Sequence, residues 1–255
     1  MTVTNGRVPD CAREITTGQA NRVWHVDGPV PYVLKHYSDP ARAANEAAAL
    51  TLLARHQAPA PGLLGADPAA RPAWTAQSAI HAEPVPTTQL LRELAAPLTA
   101  VHRIQGPHHG RLAGGPRHQT WHDYLHHRLD TYTAAAPDLA PTAALLRREL
   151  DTLTTRIDPR LLHHDLQPGH LVRTTDGQPL LLDWELAAFG DPLSDLARLA
   201  VRLELPDPEE VLHLAQQPDP TTSRRIRLYW RVHHLANAAL STDPDTRQHS
   251  RTCLL

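Results

Sequence analysis

Two aspartates at the ends of short aliphatic segments are the residues of this sequence best placed to do chemistry. Asp165 lies in the segment HHDLQPGH (residues 163–170), and Asp183 begins the segment DWE (residues 183–185). Between them the sequence has a second aliphatic run and the turn-forming segment TDGQ (residues 175–178). An antiparallel hairpin of this length brings its two ends side by side. The spacing therefore predicts that both carboxylates face one cleft.

Paired carboxylates of this kind suit phosphoryl transfer. One carboxylate orients the attacking hydroxyl and takes its proton, while the other holds the Mg²⁺ that neutralises the triphosphate. Taken alone, the pattern also fits two buried or helix-capping aspartates in a fold without this activity.

The two segments resemble the signature of the aminoglycoside phosphotransferases and of their choline-kinase and thiamine-kinase relatives. That signature reads HxDLxPGN, followed by an aliphatic strand, a turn and IDWE. This sequence matches it at His163, Asp165, Leu166, Pro168, Gly169, Asp183, Trp184 and Glu185. The segments GDP (residues 190–192) and DLA (residues 195–197) also resemble the element that comes next in the family.

The resemblance implies an ATP- and Mg²⁺-dependent phosphotransferase with the two-lobed, protein-kinase-like α+β fold. By this analogy Asp165 is the catalytic carboxylate, His163 supports the catalytic loop and Asp183 binds Mg²⁺. A small, β-rich N-lobe over residues 1–83 is expected to hold the nucleotide with a sheet and one helix. A larger, mainly helical C-lobe over residues 84–255 is expected to carry the catalytic loop and the acceptor site.

His170 stands where the family has asparagine. The amide oxygen of that asparagine helps to hold a metal ion, and Mg²⁺ prefers oxygen to imidazole nitrogen. Three interpretations stay open: His170 ligates a softer divalent ion, hydrogen-bonds to Asp165, or marks a weakened catalyst. We favour a working enzyme with one metal held mainly by Asp183 and the phosphates, and we keep His170 as a candidate metal ligand.

Lys35 is the only lysine of the sequence, in which the other long basic side chains are arginines. It ends the apolar run YVLK (residues 32–35), where a kinase-type small lobe places its phosphate-binding lysine. A compact ammonium fits between phosphates where a planar guanidinium does not. Glu46, on the next predicted helix, is the natural partner that orients Lys35. An ordinary surface lysine and a solvated helix glutamate are the alternatives.

A Walker-type phosphate loop is excluded, because no glycine stands before Lys35 at the spacing that such a loop needs. The segment TTGQAN (residues 16–21) resembles instead the nucleotide-positioning loop of the family, where backbone N–H groups and small polar side chains meet phosphates. Lobe order further suggests that adenine bonds to the backbone of a hinge near residues 81–83. The nucleotide-binding candidates from this loop and hinge are Thr17, Gly18, Asn21, His81 and Glu83.

Periodicity and turn signals predict a strand-rich first part and a helical second part. Strands are expected over residues 13–16, 22–26, 31–36, 63–64 and 74–80, and a helix over residues 41–56 is capped by SDP (residues 38–40). The segment HAEPVP (residues 81–86) is the expected hinge. Beyond it, helices are expected over residues 89–104, 120–132, 142–157, 193–203, 208–216 and 222–240, with short strands at 161–162, 171–172 and 180–182 and a frayed tail over 241–255.

Composition argues against several classes of partner. The formal net charge of -2 favours neither nucleic acid nor an anionic membrane. The two cysteines, Cys11 and Cys253, form no metal-ligand spacing and no disulfide framework, which is typical of a reducing cytoplasm. We see neither a signal peptide nor the run of about 18 apolar residues that a spanning helix needs. The expected location is the cytoplasm.

The acceptor is the part of the function that the sequence determines least. The leading hypothesis is an O-phosphotransferase for a small hydroxylated metabolite or antibiotic, aminoglycoside-like or another natural product. A kinase acting on Ser or Thr of a peptide natural-product precursor and a nucleotide-binding pseudokinase scaffold are the alternatives. The carboxylates that would meet a cationic acceptor are Asp123, Asp130, Glu185, Asp191, Glu204, Asp207, Glu209 and Glu210.

Overall fold

The computed structural model describes residues 5–15, 21–215 and 218–254. In chain order, the strands are β1 (Ala12–Ile15), β2 (Asn21–Val26), β3 (Tyr32–Tyr37), β4 (Leu63–Asp67), β5 (Ala73–Ser78), β6 (Ala82–Pro84), β7 (His109–Arg111), β8 (Arg117–His118), β9 (Arg160–Leu162), β10 (Leu171–Thr174), β11 (Pro179–Leu181) and β12 (Ala188–Gly190). The helices are α1 (Pro40–Arg55), α2 (Thr87–His102), α3 (Trp121–Ala135), α4 (Ala140–Asp151), α5 (Pro192–Arg202), α6 (Thr222–Leu240) and α7 (Pro244–Cys253).

The chain divides into two compact units, each built from several stretches of sequence. The first unit comprises Met1–Ile104, Arg111–Pro116 and Pro168–Ala188. The second comprises Gln105–Gly110, Arg117–Gln167 and Phe189–Leu255. The first unit thus continues past residue 83: α2 packs against β11, and the hairpin of β10 and β11 belongs to this unit as well.

An antiparallel five-stranded sheet, in the order β1-β2-β3-β5-β4, forms the centre of the first unit. Its two faces follow from the alternation of side chains along β3. Trp24, Leu34 and Trp74 belong to one buried cluster, while Tyr37 and Ala73 pack with Ala43 of α1 in another. Lys35 therefore points to the face that α1 covers.

Helix α1 begins where the sequence predicts. The side chain of Asp39 accepts a hydrogen bond from the N–H of Ala41, and Pro40 occupies the first turn. Residues 82–84, inside the segment expected to be a hinge, instead form β6, which pairs with β10. This pairing satisfies backbone groups that an open hinge would leave to water.

The second unit is mainly helical. Helix α6 packs against α3, α4, α5 and α7, and a small sheet has the order β8-β7-β12-β9. Gly190, in β12, lies so close to the indole of Trp121 that a methyl group at this position would overlap the ring. Taken together, the chain has an N-terminal antiparallel sheet followed by a mainly helical part, which makes the fold α+β.

Three expectations for the second unit are wrong in detail. The tail beyond residue 241 is not frayed, because Asp243 caps α7 and this helix packs on α6. The helix expected to reach residue 157 ends at Asp151. Residues 208–214 form a 3-10 helix rather than an α-helix. Among the helices that the structure describes, none has the length and apolar character required to cross a bilayer.

Asn45 joins three segments of the first unit. This buried side chain donates to the carbonyl oxygens of Glu185 and Ala187, each at 2.9 Å. Its own oxygen accepts from the N–H groups of Leu112 at 2.9 Å and Ala113 at 3.1 Å. One amide therefore satisfies four backbone groups and holds α1 against the residues that follow Asp183.

We expect Asn45→Ala to lower the free energy of unfolding by about 3 kcal/mol or more, because an unsatisfied buried polar group costs roughly 1–3 kcal/mol. Urea unfolding followed by tryptophan fluorescence measures the change. Thr51→Ala, which removes an exposed hydroxyl from the same helix, is the control and should change stability by less than about 0.5 kcal/mol. Equal effects of the two substitutions would contradict the role given to Asn45.

Candidate functional site

Lys35 lies between two carboxylates in the first unit. Its ammonium donates to Glu46 Oε1 at 2.8 Å and to Asp183 Oδ1 at 2.9 Å. The side chains of Lys35 and Glu46 are buried, whereas 31% of the Asp183 side chain is exposed. The ion pair between Lys35 and Glu46 is the one that the sequence predicts.

Glu46 has further partners that hold it in place. The hydroxyl of Tyr37 donates to Glu46 Oε2, and the backbone N–H of Trp184 donates to Glu46 Oε1 at 3.2 Å. Trp184 is itself fully buried, and its indole N–H donates to the carbonyl of Leu181 at 2.9 Å. Trp184 thus has a local structural role, because its indole anchors the backbone that carries Asp183.

Burial and charge act in opposite directions on this cluster. Burial favours the neutral amine of Lys35, but the carboxylates of Glu46 and Asp183 outweigh burial and raise the pKa of Lys35 above its ordinary value. Burial raises the pKa of Glu46, although Lys35 draws it down. The ammonium therefore stays charged at neutral pH.

The hairpin of β10 and β11 brings His170 to Asp183. Leu171 pairs with Leu181, and the N–H of Leu182 donates to the carbonyl of His170 at 2.8 Å. His170 Nε2 consequently lies 3.5 Å from Asp183 Oδ2. Asp183 has a φ of 66°, a left-handed conformation that an L-residue adopts at an energetic cost.

In the second unit, Asp165 lies beside two arginines of α5. Arg198 Nη2 and Arg202 Nη2 approach the same oxygen, Asp165 Oδ1, at 3.3 and 3.0 Å. All three side chains are partly buried, and Arg198 also donates to Asn237 Oδ1 at 3.0 Å. The sequence motif predicts a chemical role for Asp165 but not this pair of cations.

The loop that carries Asp165 is held by Asp195. The carboxylate of Asp195, which is fully buried, accepts from the backbone N–H groups of His163 at 2.9 Å and His164 at 2.7 Å. His163 is fully buried too, and its Nδ1 accepts from the N–H of Asp165 at 3.3 Å. The positive φ of His164, 64°, shows that the loop is tightly bent at this point. His163 thus contacts the loop that it is predicted to support.

The structure supports the remaining nucleotide-binding candidates less directly. Thr17 and Gly18 lie outside the described residues. Asn21 donates to the carboxylate of Glu185, which also receives Arg42 Nη1 at 2.6 Å. Because Glu185 is buried and already pairs with Arg42 within the first unit, it is a poor partner for a cationic acceptor.

His81 and Glu83 are exposed beside and within β6. The carbonyl of His81 accepts from the N–H of Thr175 at 3.2 Å, and Glu83 pairs with Arg173 across the strands. Their role in adenine binding stays a prediction.

Sequence reasoning missed several residues of these networks, among them Arg42, Asn45, Arg198 and Arg202. Arg42 and Asn45 stand on α1 on the same side as Glu46, so the helical spacing of polar residues is a signal for them. Arg198 and Arg202 are one turn apart on α5, but arginine is so common in this sequence that the spacing carries little weight.

Comparisons with known structures agree with this architecture. An aminoglycoside phosphotransferase APH(4)-Ia variant in ternary complex with ADP and hygromycin B is 18% identical over 96% of this chain and 92% of that chain, with a TM-score of 0.71. A putative fructosamine-3-kinase from Thermobifida fusca is 21% identical over 95% and 93% of the two chains, with a TM-score of 0.69. Choline kinase LicA from Streptococcus pneumoniae is 16% identical over 93% and 90%, with a TM-score of 0.63.

These likenesses show the fold, which is the kinase-like α+β fold expected from the sequence. No curated protein matches the chain. The sequence model of the phosphotransferase enzyme family matches residues 12–229, which is most of the chain. The chain therefore belongs to the phosphotransferase enzyme family.

Proposed function

We propose that this protein transfers the γ-phosphate of ATP to a hydroxyl group of a small molecule. The observation that carries the proposal is the buried ammonium of Lys35 between Glu46 and Asp183. In kinase-type phosphotransferases a lysine and glutamate pair of this kind holds the phosphates of the nucleotide. Structural neighbours that bind ADP or AMP-PNP support the choice of nucleotide.

Lys35 binds the α- and β-phosphates, and Glu46 orients it. Because Glu46 is fully buried and held by Tyr37, the lysine has one fixed anchor while its second carboxylate, Asp183, is partly exposed. The loop from Thr17 to Asn21 positions the triphosphate, and adenine bonds near His81 and Glu83 in this proposal. The first unit, which contains the predicted N-lobe of residues 1–83 and extends beyond it, then acts as the nucleotide-binding part.

Asp165 orients the acceptor hydroxyl and takes its proton. Its loop has the rigidity that this task requires, because Asp195 holds two consecutive backbone N–H groups and His163 holds a third. Since phosphoryl transfer leaves the protein little covalent work, accurate placement of this carboxylate is the main contribution of the loop.

The donor set around Asp183 fits a divalent cation. Its carboxylate is partly exposed, whereas that of Glu46 is inaccessible, so Asp183 is the carboxylate available to a metal ion. Mg²⁺ bound there would neutralise charge on the triphosphate. His170 Nε2, 3.5 Å from Asp183 Oδ2, orients this carboxylate or adds a nitrogen ligand.

The acceptor is a small molecule rather than a regulated protein substrate. Only a short turn, β12 and the capping residue Asp191 separate Asp183 from α5, which leaves no room for a long activation segment. The structural neighbours are an aminoglycoside phosphotransferase, a fructosamine kinase and a choline kinase, which differ in their acceptors. An antibiotic, another hydroxylated metabolite and a peptide natural-product precursor are the acceptors to screen.

We expect Lys35→Ala, Asp165→Asn and Asp183→Asn each to lower ATP turnover by about 100-fold or more, because each removes a positioning or charge-stabilising group. Turnover is measured with a library of hydroxylated acceptors. Asp165→Asn should still bind ATP, and Asp183→Asn should lose its dependence on Mg²⁺. Asp176→Asn, in the exposed hairpin turn, is the control and should keep wild-type turnover.

Two outcomes would contradict the proposal. Wild-type turnover in the Asp165→Asn variant would show that Asp165 is not the base that takes the proton of the acceptor. If the wild type binds ATP but phosphorylates no acceptor, and the three variants bind ATP equally well, the pseudokinase scaffold would be favoured.

We expect His170→Asn to keep or raise turnover with Mg²⁺, because an amide oxygen suits this ion better than imidazole does. The same assay, run with Mg²⁺ and with Mn²⁺, measures the preference. His56→Asn, at the exposed end of α1, controls for the change of residue type. An inactive His170→Asn protein beside an active parent would show that the histidine is itself required.

A further inference from the structure

The predicted catalytic carboxylate contacts two positively charged side chains. Arg198 and Arg202 contact one oxygen of Asp165, so two guanidinium groups face one carboxylate. Asp195, which lies on α5 with the two arginines, accepts hydrogen bonds from the backbone N–H groups of His163 and His164. Asp165 is therefore the carboxylate that the two guanidinium groups share.

Holding two guanidinium groups beside one carboxylate costs electrostatic free energy unless a further anion binds. Arg198 and Arg202 are one turn apart on α5, and like charges at this spacing repel each other. Burial lowers the pKa of Arg198, Arg202 lowers it further, and Asp165 only partly opposes them. A second negative group would relieve this repulsion.

Both arginines also keep hydrogen-bonding capacity. Among the described residues, the Nε groups of Arg198 and Arg202 are buried and have no hydrogen-bond partner. An unsatisfied guanidinium N–H is a donor that suits an oxygen of a carboxylate or phosphate. Arg202, whose side chain is 31% exposed, is the more accessible of the two.

The carboxylates that would recognise a cationic acceptor are engaged elsewhere in the second unit. Asp123 closes the capping box of α3, Asp130 pairs with Arg147, and Asp191 pairs with Arg225. Asp207 and Glu209 both pair with Arg227. Of the acids of the second unit that the sequence suggests for a cationic acceptor, Glu204 and Glu210 are the two without an ion pair or a capping role among the described residues.

We infer that the acceptor carries an anionic group, a carboxylate or a phosphate, close to the hydroxyl that is phosphorylated, and that Arg198 and Arg202 bind this group. The inference rests on the proposed function, because it takes Asp165 as the group that meets the hydroxyl. A hydroxyl within hydrogen-bond reach of Asp165 places its neighbouring substituent beside the two guanidiniums. The two guanidinium groups also offset the repulsion between the anionic group of the acceptor and the carboxylate of Asp165.

Two arginines could equally bind the phosphoryl group that ATP donates. A titration with inorganic phosphate distinguishes that group from an anionic group of the acceptor. The protein is saturated with AMP-PNP and Mg²⁺, so that the γ-phosphate position is filled, and phosphate is then titrated by calorimetry. We expect the wild type to bind phosphate under these conditions and Arg202→Gln to bind it about tenfold more weakly or worse. Arg202→Lys keeps the charge but loses the planar guanidinium with its paired N–H groups, so its affinity for phosphate should lie between those of the wild type and Arg202→Gln.

Arg227→Gln is the matched control, because Arg227 is an exposed arginine with two ion pairs in the same unit. It should bind phosphate as the wild type does. AMP-PNP affinity, measured first in every variant, reports folding and the nucleotide site. If the wild type does not bind AMP-PNP, the proposed function is refuted, and this inference is refuted with it.

Phosphate binding that AMP-PNP abolishes would assign the arginines to the transferred phosphoryl group and overturn the inference. Equal phosphate affinity in the wild type and Arg202→Gln would overturn it too. So would turnover of a cationic acceptor such as choline or hygromycin B that Arg202→Gln leaves unchanged.

Discussion

The buried ammonium of Lys35 is the interaction on which the first unit depends. Removing a charged lysine from water costs several kcal/mol unless carboxylates compensate it, and here Glu46 and Asp183 do so. The requirement constrains three elements at once: β3 must aim the lysine, α1 must present Glu46, and the hairpin of β10 and β11 must deliver Asp183. Asn45 reinforces the same arrangement from α1, since its amide holds the backbone just beyond Asp183.

In the second unit, buried hydrogen bonds hold the loop that carries Asp165, the proposed catalytic carboxylate. The carboxylate of Asp195 accepts from two backbone N–H groups, and His163 adds a third contact. In each unit one residue of the proposed catalytic segments, His164 or Asp183, has a left-handed backbone. Such conformations cost about 1–3 kcal/mol each and persist only where surrounding contacts impose them. Strain and strong hydrogen bonds thus occur together in these segments.

The sequence predicted the parts of the site that depend on local spacing. Asp165, Asp183 and the hairpin between them follow from motif and turn signals, and the contact of Lys35 with Glu46 follows from a strand leading into a capped helix. It did not predict contacts made across long stretches of chain: Asn45 with residues 112 and 185, or Asp165 with Arg198 and Arg202. Helix α7 was missed because its stability comes from a cap and from packing on α6, while its own residues are polar.

The single lysine permits a direct test of the central claim, that Lys35 binds the phosphates of ATP. The protein is treated with an adenosine derivative that carries a lysine-reactive sulfonyl fluoride at its 5′ position, and the modified peptide is identified by mass spectrometry. The account predicts one label per chain, on Lys35, and protection by ATP with Mg²⁺. Labelling of Lys35 that saturating ATP does not prevent would contradict it.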